Sequence, residues 1–67
     1  MDRTRTSQVY MLDTIRAMGM SVRVKDGEIR VNYKNGDEST AYYTNDRQDA
    51  VDTACIMRHK QQYGRLS

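Results

Sequence analysis

The chain carries its clearest fold signal at residues 20–34, which read Met-Ser-Val-Arg-Val-Lys-Asp-Gly-Glu-Ile-Arg-Val-Asn-Tyr-Lys. Apolar and polar residues alternate on both sides of Asp26-Gly27, a dipeptide that supplies the positive φ angles of a type I′ turn. A two-residue turn fixes the strand register, and in that register Arg23 faces Arg30. One face of the predicted hairpin is apolar: Met20, Val22, Val24, Ile29, Val31 and Tyr33. The opposite face is polar.

A third strand is predicted near residues 39–44, after a second turn signal at Asn35-Gly36. The length of this turn leaves the strand's orientation open. A two-residue turn or a four-residue loop would direct Tyr42 toward the core, whereas a three-residue turn with a bulge would direct Tyr43 inward. Which of the two tyrosines is buried stays undecided at this point.

The first helix is predicted over residues 7–18, with Thr6 or Ser7 as its N-cap. Gly19 fits the left-handed position that follows the last helical residue. The apolar stripe of this helix recurs at helical spacing. It consists of Met11, Leu12, Ile15 and Met18.

The second helix is predicted over residues 46–62. Asn45 suits the N-cap, and Gln48 stands in the capping-box position. Ile56 falls on the outer side of this helix, with Tyr63 nearby. The inward face is expected to contain Ala50, Val51, Ala54, Cys55 and Met57.

These elements predict one α+β domain over residues 1–67, with an ordered core at about residues 6–63. The order is α-β-β-β-α. Each helix has one apolar stripe and the sheet has one apolar face, so both helices should pack on that face of a three-stranded antiparallel sheet. The other sheet face is expected to remain in water.

Composition narrows the class of protein. Sixty-seven residues with a net charge of +2 give too weak a field to indicate a nucleic-acid partner by charge alone. One cysteine excludes an internal disulfide framework. The chain contains no apolar run of membrane-spanning length, and its N-terminus lacks the pattern of a signal peptide. A cytoplasmic location without membrane attachment is therefore expected.

The polar face of the hairpin is the main candidate site. Directly opposed like charges destabilise a sheet, and an anionic partner would be a reason to keep Arg23 opposite Arg30. The competing interpretation is a solvated face on which Glu28 and an acidic turn residue neutralise the arginines. An exposed apolar residue on the second helix could add a protein contact. The predicted partner-binding residues are Arg23, Lys25, Arg30, Asn32, Lys34, Tyr43, Ile56 and Tyr63.

Metal binding and catalysis find little support. Cys55 and His59 are spaced i, i+4 on the second predicted helix, but two ligands do not make a zinc site. The same pair lacks an evident cleft or oxyanion hole, and no glycine-rich phosphate loop is present. We therefore predict no catalytic residue, no metal and no cofactor.

The element order resembles that of the double-stranded-RNA-binding domain. That family places a lysine cluster at the start of its second helix, whereas residues 45–49 read Asn-Asp-Arg-Gln-Asp here. Its loop between the first two strands is also longer than Asp26-Gly27. The sequence therefore does not favour binding to double-stranded RNA.

Residues 42–54, Tyr-Tyr-Thr-Asn-Asp-Arg-Gln-Asp-Ala-Val-Asp-Thr-Ala, form a strand that ends in aromatics and leads into a capped helix. This segment and the overall architecture resemble small accessory proteins of phages and mobile elements, including anti-CRISPR and other anti-defence proteins. The resemblance implies a stoichiometric inhibitor that binds a host nuclease complex. Anti-CRISPR families share no common motif, so the resemblance assigns no residue roles.

The expected function is therefore a non-enzymatic binding protein that inhibits a host defence complex by occupying a functional surface. Its partner would be a host protein or ribonucleoprotein, and its location would be the host cytoplasm if a phage encodes it. The alternative is a small nucleic-acid-binding or regulatory protein that uses the same basic sheet face. Formation of a homodimer is left open.

Overall fold

A computed structural model describes the backbone of residues 6–64 and the side chains of residues 6–62. It confirms the predicted order and the α+β class. A short 3₁₀ turn at Glu38–Thr40 precedes the third strand. The helices and strands are α1 (Gln8–Ala17), β1 (Met20–Lys25), β2 (Glu28–Tyr33), β3 (Tyr42–Thr44) and α2 (Arg47–Gly64).

The hairpin of β1 and β2 forms in the predicted register. Arg23 pairs with Arg30, and Val22 pairs with Val31. Asp26 has a φ of 53° and Gly27 a φ of 81°, as the type I′ turn requires. The alternation of side chains and the geometry of the turn demand the same register, so the prediction is confirmed.

Both helices pack on one face of the antiparallel sheet, whose strand order is β1-β2-β3. The buried side chains between the sheet and the helices form one apolar cluster. Its members are Met11, Ile15, Met20, Val22, Ile29, Val31, Ala50, Val51, Ala54 and Met57. The opposite face of the sheet has no helix over it in the part of the chain that the structure describes.

The first helix begins after Ser7, whose hydroxyl accepts a hydrogen bond from the backbone N–H of Tyr10 at 3.0 Å. This settles the choice between two predicted caps. The helix ends at Ala17, and Gly19 takes a φ of 81° in the left-handed region, where glycine is favoured.

The third strand is shorter than predicted, because it begins at Tyr42 rather than at residue 39. Residues 34–41 form a longer connection, part of which is the 3₁₀ turn. Val31 pairs with Tyr42 and Arg30 with Tyr43, so Tyr42 lies on the helix-covered side and Tyr43 on the opposite side. Neither tyrosine is buried: their exposed fractions are 39% and 45%.

Two expectations for the second helix were wrong. The N-cap is Asp46 rather than Asn45, because the Asp46 carboxylate accepts hydrogen bonds from the N–H groups of Gln48 and Asp49 at 2.9 and 3.1 Å. Asp46 and Asn45 are both favourable caps, and the chain uses the later one. Cys55, expected on the inward face, is exposed, because it lies outside the buried stripe of the helix.

Candidate partner-binding surface

The uncovered side of the sheet presents a patch of polar and aromatic side chains. We call this patch the outer sheet face and define it as Arg23, Lys25, Glu28, Arg30 and Tyr43. Together with Asp26 these residues line one shallow depression. The period-two alternation of the strands places them opposite the core residues.

Arg30 is held in a hydrogen-bonded cluster with Glu38 and Tyr43. Its Nη2 atom lies 3.0 Å from Oε1 of Glu38, and its Nε atom donates to the Tyr43 hydroxyl at 3.3 Å. The Tyr43 hydroxyl in turn donates to the Glu38 carboxylate. The hydrogen bonds from Tyr43 and Arg30 lower the pKa of Glu38 below its ordinary value. The same cluster raises the pKa of Arg30, so both charged forms are favoured.

Arg23 lies directly opposite Arg30 but belongs to no such cluster. Its side chain is exposed and makes no hydrogen bond or ion pair with any residue that the structure describes. Glu38 therefore compensates one arginine of the opposed pair and leaves the other available. Of the two acidic residues expected to neutralise the arginines, the turn residue Glu38 pairs with Arg30. Glu28 lines the same depression as Arg23 but forms no ion pair with either arginine among the described residues.

The predicted site residue Asn32 is corrected by the structure, because it is buried with 1% of its surface exposed. Its Oδ1 atom accepts hydrogen bonds from the Tyr33 N–H and the Thr40 hydroxyl, both at 2.7 Å. Its Nδ2 group donates to the carbonyl of Asp37 at 2.9 Å. These bonds commit Asn32 to the connection between β2 and β3, so it presents no surface to a partner.

The connection anchored by Asn32 positions Glu38. Asp37 caps the 3₁₀ turn, since its carboxylate accepts hydrogen bonds from the Ser39 N–H at 3.1 Å and the Ser39 hydroxyl at 2.6 Å. These two bonds lower the pKa of Asp37. Gly36 lies against Asn32 and Thr40 so closely that a β-carbon would overlap both side chains. The outer sheet face thus depends on a small polar network beside the core.

Glu38 is the functional residue that the sequence analysis did not identify. The sequence predicts an acidic turn residue near the arginines but does not specify which one. A signal was present at Asp37, because an Asp side chain commonly hydrogen-bonds the backbone two residues further on and so forms a turn. The signal is overlooked when residues 39–44 are assigned to the third strand, which in the structure begins only at Tyr42.

Of the remaining predicted site residues, Ile56 lies apart from the outer sheet face. Ile56 is 56% exposed, but it lies on α2, in the helix layer on the other side of the sheet. Ile56 and Arg23 therefore lie on opposite sides of the sheet. Lys34 is exposed directly after β2. Tyr63 belongs to α2, and its side chain lies outside the described residues.

Tyr42 contacts α2 and links it to β3, and it is not part of the outer sheet face. Its hydroxyl donates a hydrogen bond to Asp49 Oδ2 at 2.7 Å. This bond and the negative charge of Asp49 raise the pKa of Tyr42. The contact joins the short edge strand to the first turn of the helix.

Within residues 6–62 no group of three or more His, Cys, Asp or Glu side chains is arranged to hold a metal ion. Among the described helices, none combines the length and apolarity needed to cross a bilayer. The chain matches no protein-family model, no curated protein and no solved structure. Its function is therefore inferred from the geometry of the outer sheet face.

Proposed function

We propose that this chain is a non-enzymatic binding protein whose outer sheet face docks onto another protein and receives a carboxylate of that protein beside Arg23. The observation that carries the proposal is the asymmetry of the opposed arginines. Arg30 has a counter-ion in Glu38, whereas the exposed side chain of Arg23 has none among the described residues. A partner carboxylate beside Arg23 would complete the pairing and relieve the repulsion between the strands.

Tyr43 supports a protein partner. It is 45% exposed while its hydroxyl is fixed by Glu38 and Arg30, so it offers an aromatic surface with little rotamer freedom left to lose. Tyrosine and arginine are enriched among the residues that dominate protein interfaces. The ordered cluster of Arg30, Glu38 and Tyr43 would therefore act as a preorganised neighbour to the free Arg23.

The charges around the depression favour protein over nucleic acid. Glu28 and Asp26 line it beside the cations, and Glu38 lies against Arg30. Phosphate backbones are gripped by clustered cations, and interspersed carboxylates repel them. A mixed-charge surface suits a protein partner, for which charge complementarity supplies register and specificity.

As the partner class we propose a host defence complex of the CRISPR-Cas type, which the chain would inhibit by occupying a functional surface. Support comes from the architecture-level resemblance to phage anti-defence proteins. It predicts a stoichiometric effect: in cells with an active CRISPR-Cas system, expression of the chain should restore transformation by a targeted plasmid. Unchanged interference across such systems would contradict this assignment of the partner class.

Capture of the partner from host lysate tests the docking face. Arg23→Glu reverses the free charge, and Arg16→Glu makes the same change on exposed α1 as a matched control. A partner retained by the wild type and by Arg16→Glu should be lost with Arg23→Glu. Equal capture by all three proteins would remove the outer sheet face from the proposal.

Mobility-shift assays with DNA and RNA over a series of salt concentrations distinguish a protein partner from a nucleic-acid partner. Binding through phosphates weakens steeply with salt, because counterions are released. The proposal predicts no mobility shift at low salt. A shift at low salt that Arg23→Glu abolishes would instead favour a nucleic-acid-binding protein.

A further inference from the structure

We propose that the free edge of β1 pairs antiparallel with β1 of a second copy of the chain, which joins two sheets into one. β1 is an outer strand of the sheet, and on its far side no other strand of the described residues pairs with it. It is six residues long and contains no proline. A long, regular edge strand is a template for pairing with another chain.

The hairpin register determines which backbone groups this edge presents. In a two-residue turn the flanking residues Lys25 and Glu28 form a hydrogen-bonded pair. Every second residue of β1 then points its N–H and C=O toward β2, and the residues between them point theirs away. The outward set is Met20, Val22 and Val24.

The far end of the hairpin agrees with this assignment. Met20 and Tyr33 should form a pair without mutual hydrogen bonds, so the Tyr33 N–H should point away from β1. This N–H donates to Oδ1 of Asn32 at 2.7 Å, which agrees with its not bonding to β1. The backbone N–H and C=O groups of successive β1 residues therefore alternate between pointing toward β2 and pointing away from it, as the two-residue turn requires.

Charge selects one self-pairing register. When Val22 lies on the two-fold axis, Ser21 of each copy faces Arg23 of the other, and Met20 faces Val24. Shifting the axis to Val24 would set Arg23 against Lys25 of the second copy, and directly opposed like charges are destabilising. The register centred on Val22 therefore pairs the most residues without placing like charges directly opposite each other.

Several apolar side chains of α1 and β1 are incompletely covered in the single chain. Leu12 and Met18, which flank the buried residues of α1, and Val24 of β1 pack against the core but remain half-buried. The helix α1 packs on β1, so a second copy paired at this edge would bring two such helices together. Additional apolar burial would then accompany the backbone hydrogen bonds.

Sedimentation equilibrium on the full chain tests this pairing. The wild type should be a reversible dimer within the range from about 1 μM to about 1 mM. Ser21→Arg places a cation opposite Arg23 of the second copy and should weaken dimerisation about two- to thirtyfold. Ser21→Glu places an anion there and should strengthen dimerisation by a similar factor.

Matched controls carry the same charges on exposed α2, at Gln61→Arg and Gln61→Glu, and should leave the equilibrium near that of the wild type. Circular dichroism and thermal unfolding of each variant verify that the fold is retained. A wild type that stays monomeric up to about 1 mM would overturn the proposal. So would a dimer whose dissociation constant responds to neither change at Ser21, because that dimer would use another surface or register.

Discussion

Replacing Gly36 with alanine tests the network that holds Glu38 in place. An added β-carbon would lie 2.4 Å from Oδ1 of Asn32 and 2.6 Å from Oγ1 of Thr40. Both distances are far below van der Waals contact. Asn32 cannot turn aside cheaply, because it is 1% exposed and its amide is bonded to Asp37, Tyr33 and Thr40.

The expected loss is substantial for so small a domain. Overpacking at a tight site costs about 1–3 kcal/mol. A domain of this size has a total stability of about 3–10 kcal/mol. Since each kcal/mol shifts the midpoint of a domain of this size by about 4–8 °C, Gly36→Ala should lower Tm by about 4–24 °C.

Thermal and urea unfolding measure this effect, with Thr40→Ala and the double variant as controls. Removing the Thr40 hydroxyl relieves one of the two overlaps, so the double variant should lose less stability than the sum of the single losses. Glycine-to-alanine changes at unstrained, open positions usually stabilise by about 0.4–1 kcal/mol. A Gly36→Ala variant as stable as the wild type, or more stable, would refute the close packing of this network.

Three further outcomes are expected. Asp46→Ala should destabilise the domain by about 1 kcal/mol through loss of the α2 N-cap, whereas Asn45→Ala should leave the stability nearly unchanged. If urea unfolding instead showed the larger loss for Asn45→Ala, Asn45 would be the cap. The lowered pKa of Glu38 means that its contribution is present above its ordinary value of 4.5 and is lost as the pH falls through the lower folded value. Glu38→Gln should therefore be less stable than the wild type at pH 7, and the difference should shrink in acid; a constant difference down to pH 2 would argue against the pairing. Ile15→Ala should lower the free energy of unfolding by about 2–5 kcal/mol, because Ile15 is 0% exposed. Cys55→Ser should leave it within about 0.5 kcal/mol of the wild type, because Cys55 is exposed. A larger loss with Cys55→Ser would indicate that Cys55 belongs to the core.

The hairpin was predictable because two independent signals agree. The alternation over residues 20–34 and the Asp26-Gly27 turn demand the same register, and any slip would expose the apolar face. The two helices followed from their apolar stripes. The element order and the shared core face were therefore available from the sequence alone.

The connection after β2 was not predictable by the same means. Asn35-Gly36 resembles a hairpin turn, but Asn32 uses its side chain to bind the chain that follows, and the strand starts only at Tyr42. A buried asparagine in a polar position of a strand carries no periodic signal. Its burial, and with it the placement of Glu38, depends on tertiary hydrogen bonds between residues up to eight positions apart.

The position of the helix cap shows a second limit. Asn45 and Asp46 are neighbours with similar capping preference, and local propensity does not separate them. The direction in which the backbone leaves β3 determines which of the two residues is the N-cap.

The most direct test of the proposed docking face is the affinity of the captured partner, once purified, for four forms of the chain. These are the wild type, Arg23→Lys, Arg23→Glu and the control Arg16→Glu. Arg23→Glu should weaken binding at least about tenfold, as expected for a central interface arginine. Arg23→Lys should fall between, because it keeps the charge and loses the bidentate geometry. Affinities equal within error for the wild type and Arg23→Glu would contradict a docking role for the outer sheet face.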